Sequence, residues 1–142
     1  MDSTNQLIQP VVALIVWSMV MWLWMYATRL PAIISMKLEM DPMAPRGEQM
    51  AKLPASVRWK ADNYNHLMEQ PTLFYAVVLA LAVMGVSSGL ALYAAWTYVA
   101  LRIIHSLVQV LGNKIEVRFA VFVASNVPLL LLVFLAARAA FF

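Results

Sequence analysis

Apolar residues gather into four long runs, and most charged residues lie in the segments between them and at their ends. The runs predict membrane-spanning helices over residues 7–27, 56–85, 90–111 and 119–138. The first has the core "VVALIVWSMVMWLWMYA", in which Trp22, Trp24 and Tyr26 suit an interfacial belt and Trp17 sits deeper. Residues 29–55 form the only long connection, a loop with Pro31, Pro42, Pro45 and Pro54. A second helix is expected to start near Pro54, with Ser56 as a candidate cap, and to run on with a bend at Pro71. "GVSSG" and "GNKIEVR" then read as short turns. Short turns place successive helices antiparallel, so the expected fold is an all-α membrane protein, a four-helix up-down bundle of one domain over 1–142.

Composition agrees with the pattern. Hydrophobic residues make up 63% of 142, more than a water-soluble domain of this size can hide. There is no cysteine, which removes disulfides, thiolate metal sites and a cysteine nucleophile. The two histidines, His66 and His105, have no ligand-type spacing, so no metal is expected. The net charge of +3 suits orientation and anionic lipid rather than nucleic acid. Residues 29–60 hold six basic side chains, the "GNKIEVR" turn two, and the N-terminus and "GVSSG" none. The positive-inside rule then puts both termini outside and the basic loops in the cytoplasm of a bacterial-type inner membrane. The N-terminal run lacks the basic flank and cleavage site of a removable signal, so a retained helix is expected.

Polar side chains interrupt this scheme at one level. Asp62, Asn65, His66 and Glu69 are spaced i, i+3, i+4, i+7, which is one face of a helix. Arg102, His105 and Gln109 repeat that spacing in the third run, and Arg118 opens the fourth. Glu69 lies 16 residues before Gly85, and His105 16 after Gly89, each about 24 Å of helical rise. In an antiparallel bundle these groups meet just inside the hydrocarbon, where charges must pair, turn inward or reach water. A shared polar pocket is one reading. The other is a structural ion pair between Glu69 and Arg102 or Arg118, with His105 a satisfied interior imidazole.

The stretch "NYNHLMEQPTLFY" (63–75), followed by "RIIHS" (102–106) and by Asn113, Arg118, Phe119 and Phe122, resembles the MAPEG family, the membrane-associated proteins of eicosanoid and glutathione metabolism, in its bacterial-type branch. The resemblance covers length, four spans, the long first loop and both polar stretches. It implies a homotrimer with glutathione as cosubstrate between protomers and a lipophilic substrate entering from the bilayer. It assigns Arg118 the catalytic part, stabilising the thiolate. It assigns glutathione contacts to Asn65, His66, Glu69, Arg102, His105 and Gln109. Asp62 stands where the glutathione-using enzymes have an arginine, Phe122 where an aromatic hydroxyl is common, and Arg58 and Lys60 lie out of register. Two functions are therefore carried forward: a glutathione-dependent transferase or peroxidase acting on lipophilic electrophiles or lipid hydroperoxides, and a non-catalytic member of the same fold that binds lipid or serves a larger membrane complex. A channel is disfavoured, because the far halves of the second and third runs are purely apolar.

Overall fold

A computed structural model describes residues 3–86 and 88–142. Its helices are α1 (Ser3–Ser35), α2 (Ala55–Leu67), α3 (Pro71–Val83), α4 (Gly89–Leu111) and α5 (Ile115–Phe141), with a 3-10 turn at Met50–Lys52 in the loop after α1. Four segments are long and apolar enough to cross a membrane: Gln6–Ser35, Ala55–Val83, Gly89–Leu111 and Ile115–Phe141. The second contains both α2 and α3. Helices suit this setting because each satisfies its own backbone hydrogen bonds without water.

The buried residues of α1 recur every three or four positions: Leu7, Val11, Leu14, Ser18, Met21 and Met25. That seam packs on α2, α3 and α4. Helix α4 is the central one. Ala91, Ala94 and Ala95 are buried, and such small residues let helix backbones approach closely. Further along the same face, Tyr98 and Val99 give way to Arg102, His105, Ser106 and Gln109, all buried. One seam thus changes from apolar to polar as α4 nears its turn into α5. Phe74, Val78 and Leu81 of α3 and Leu129 and Leu132 of α5 complete the apolar half.

Three features of the first two spans differ from the sequence expectation. The second span is broken, not merely bent. Pro71 has no N–H, and its ring would clash with the carbonyl of residue 67, so α2 stops at Leu67 and Pro71 starts α3. Turn bonds at the break use the freed groups: Met68 N–H to Asn65 O (3.0 Å), Glu69 N–H to His66 O (3.2 Å) and Leu73 N–H to Gln70 O (2.9 Å). Ser56 does not cap. It lies in the first turn of α2, and its carbonyl accepts from Lys60 Nζ at 2.9 Å. Finally, α1 runs through Pro31 to Ser35, beyond the expected 7–27. Within the expected part of α1, Trp24 lies under Lys60, whose Nζ is 5.4 Å from the ring centroid.

The turns explain themselves locally. Gly85 has φ +72°, and Val86 N–H returns to Leu81 O (2.9 Å) while Gly85 N–H returns to Ala82 O (3.1 Å). This is a Schellman end, in which glycine adopts the left-handed region without steric cost. At the other end of the bundle Asn113 takes φ +48° after α4. Asparagine tolerates that region, and its side chain stays free to act.

Within the bundle, Gln70 joins three helices. Its amide donates to Asn126 Oδ1 of α5 and accepts from the Tyr98 hydroxyl of α4 at 3.3 Å. Tyr98 also stacks on Phe74 with centroids 4.5 Å apart. Gln70→Leu should lower stability by about 1 kcal/mol, since two hydrogen bonds are lost and those inside membrane bundles average about 0.6 kcal/mol each. Reversible unfolding in mixed micelles measures this, and an unchanged midpoint would show that the bridge contributes nothing.

Candidate functional site

The polar half of the bundle is built from α2, α4 and the start of α5. Asp62, Asn65, His66 and Glu69 are still on one side, although the helix ends between His66 and Glu69. The break turns Glu69 back so that its Oε2 lies 3.0 Å from His66 Nδ1. Gln109 and Arg118 face them, and the six residues line a pocket of about 340 Å³. Arg118 is held from within its own turn: its Nη1 donates to Asn113 Oδ1 at 2.6 Å. The left-handed backbone at Asn113 and the fixed arginine are therefore one device, produced by the "GNKIEVR" segment.

The remaining two candidate residues lie behind this pocket. Arg102 is 0% exposed, and Nε, Nη1 and Nη2 have no hydrogen-bond partner among the described residues. The nearest aromatic face is Phe122, 6.0 Å from the guanidinium carbon. His105 is 2% exposed, and its Nδ1 likewise has no partner among the described residues. The same holds for Gln109 Oε1 and the Ser106 hydroxyl. Buried polar atoms are ordinarily satisfied, so four such residues along one helix face mark a place built to meet polar groups. His66 and His105 bring their rings to 4.9 Å, tilted by 31°, and Phe122 closes on His66 at 5.5 Å and on His105 at 6.4 Å.

The structural ion pair considered from sequence is not what forms. Glu69 is largely exposed, its side chain 67% accessible, and no ion pair joins it to Arg102 or Arg118 among the described residues. The acid meets the imidazole three residues before it in the turn that joins α2 to α3. Sequence reasoning also passed over Arg29. It comes from the extended α1 and, with Arg58, Asp62 and Asn65, lines a second groove of about 250 Å³. Asp62 and Asn65 belong to both grooves. The signal for Arg29 was hidden, since it depends on α1 continuing past residue 27. Among the described residues no group of three or more His, Asp or Glu side chains is placed to hold a metal ion.

Chemically the pocket offers one cation in Arg118, exposed acids at its mouth and amide or imidazole groups between them, with the second cation, Arg102, buried outside its lining. It suits a small zwitterionic or anionic molecule with several polar ends. No curated protein and no solved structure matches the chain. The model of the MAPEG family matches residues 7–138, and with nearly its whole length covered the chain belongs to the MAPEG family.

Proposed function

We propose that this membrane protein uses glutathione as a cosubstrate and transfers its sulfur to a lipophilic electrophile, or uses it to reduce a lipid hydroperoxide. The single observation that carries the reading is the convergence of His66, Glu69, Gln109 and the anchored Arg118 on one pocket of about 340 Å³. The chain has no cysteine, so a thiol must come from outside. Glutathione supplies that thiol, and its thiolate is the reacting nucleophile. Arg118 supplies a fixed cation for the sulfur. Glu69 suits the peptide's ammonium group, and Arg29 and Arg58 in the adjoining groove suit its carboxylates. The buried donors of Arg102 give the site a further cation that the protomer itself does not neutralise. The open, exposed mouth around Asp62 and Glu69 fits a site completed by a neighbouring copy, which supports a homotrimer.

A non-catalytic reading draws on one observation. Asp62 lines both grooves and places a carboxylate where a peptide with two carboxylates would have to settle. On that reading the polar half binds lipid headgroups or a partner in a larger membrane complex.

Calorimetric titration of the detergent-purified protein with glutathione separates the two. Saturable binding at millimolar concentration or below is expected, and Glu69→Gln should weaken it by about tenfold, the value of one charge-assisted hydrogen bond. Heat indistinguishable from dilution up to several times millimolar would end the enzyme reading.

A further inference from the structure

A second pocket shares a wall with the polar one. It measures about 230 Å³ and is lined by His66, His105, Ile115, Arg118, Phe119 and Phe122. His66 and Arg118 belong to both pockets, so they form the partition between them. The chemistry of the two sides differs. The first holds an acid, amides and a cation. The second holds four aromatic rings, of which those of His66, His105 and Phe122 lie 4.9, 5.5 and 6.4 Å from one another, together with the aliphatic Ile115. Ile115 and Phe119 are 65% and 64% exposed on the first turns of α5, so this side is open at the protomer's surface.

We propose that the aromatic pocket takes a flat, carbonyl-bearing ring of quinone type, and that this ring is the lipophilic acceptor for the sulfur held at Arg118. The assignment deepens the glutathione reading and rests on it for the transfer step, though not for ring binding. Size permits it: a closed apolar cavity of about 150 Å³ accepts benzene, and this open pocket of about 230 Å³ has room for a ring of that kind. Surface chemistry argues the same way, because aromatic faces attract flat π-systems more than they attract saturated chains. A ring carbonyl needs a donor, and His105 is buried in the lining with Nδ1 unpartnered among the described residues. Arg118 offers a second donor from the partition.

The step balances without any added oxidant. A C–S bond forms between the sulfur and a ring carbon of the C=C bond conjugated to the carbonyl. The displaced π pair moves onto the carbonyl oxygen, which takes a proton from His105 or from water. Loss of the proton on the substituted carbon to solvent sends its bonding pair through the ring to the second carbonyl oxygen, which takes a proton from solvent, and the ring becomes aromatic. The product is a thioether-substituted hydroquinone: the quinone is reduced by two electrons, and the sulfur ends as a thioether.

The test uses the whole chain in lipid nanodiscs and tritiated 2-methyl-1,4-naphthoquinone, whose unsubstituted ring carbon can accept sulfur. Saturable binding is expected without glutathione. Phe122→Leu should weaken it about tenfold, and Phe122→Trp should hold it near the wild-type value, as stacking requires. With glutathione present, the thioether hydroquinone should appear faster than linoleate hydroperoxide is consumed. Absence of saturable binding, or binding indifferent to Phe122→Leu while Phe122→Trp remains folded, overturns the proposal. Turnover of the hydroperoxide but not of the naphthoquinone overturns it as well and leaves the glutathione reading standing. Phe122-dependent ring binding with no glutathione binding has the opposite meaning: the ring site stands, and the enzyme reading falls.

Discussion

Replacing Arg118 by alanine should lower kcat with glutathione and a lipophilic electrophile by about 100-fold or more, the usual effect of deleting one positioned donor to a developing or reacting anion. A free thiol ionises near pH 8.5, and moving that by about two units requires about 2.7 kcal/mol in favour of the thiolate. A guanidinium already locked to Asn113 Oδ1 at 2.6 Å can supply it without reorganising. Glutathione affinity should change much less, because Glu69, Gln109 and the groove of Arg29 and Arg58 do not depend on Arg118. Arg118→Lys should recover part of the rate by keeping charge and lose part by losing the planar fork. Steady-state turnover beside calorimetric binding gives the split. A variant with kcat within a few-fold of wild type would remove Arg118 from the chemistry. Loss of binding equal to loss of rate would make it a simple anchor.

The spans were legible because a bilayer leaves so few choices. A run of apolar residues long enough to cross must be helical, and the turns must carry the charge. The polar face of 62, 65, 66 and 69 was legible for a similar reason, since helical periodicity alone puts those four side chains on one side. What periodicity could not reveal was the consequence of Pro71. The helix ends at Leu67 and Pro71 opens a new one, so Glu69 lies in the turn between them, beside His66 and on the same pocket as Arg118. The link from Gln70 to Asn126 was invisible for another reason: the two are 56 residues apart, and nothing near either one announces the other. Asn113 illustrates the middle case. An asparagine beside a glycine at a helix end is a readable turn signal, but its hold on Arg118 follows only once α5 is seen to begin at Ile115. The turn was expected to reach Arg118, and instead Arg118 lies in the first turn of the helix, where its side chain folds back over the cap.

Replacing Arg102 by methionine should make the ligand-free protein more stable, by about 1–4 kcal/mol, the range in which buried ionic groups have been exchanged for apolar ones of similar size. The guanidinium is fully buried, and all three nitrogens lack a hydrogen-bond partner among the described residues. Its interaction with the Phe122 ring at 6.0 Å, the outer reach of such contacts, contributes about 2 kcal/mol. Desolvating the charge costs several kcal/mol, so the aromatic face leaves a deficit. Methionine fills a similar volume, is flexible enough to settle among Tyr98, Phe122 and the α5 wall, and carries no charge. The same change should erase much of the stabilisation by ligand. Wild type at 100 times Kd gains about 2.7 kcal/mol from a bound molecule, and the variant should gain clearly less because the ligand loses the buried cation it would neutralise. Unfolding in mixed micelles with and without millimolar glutathione reads both effects. If Arg102→Met is strongly destabilising without ligand, the guanidinium is already paired in the working molecule, through a neighbouring copy or a lipid headgroup. In that event the cation belongs to the assembly's structure and not to its chemistry. If the variant is more stable and blind to glutathione, the protein keeps a costly charge in its interior because its ligand needs it there.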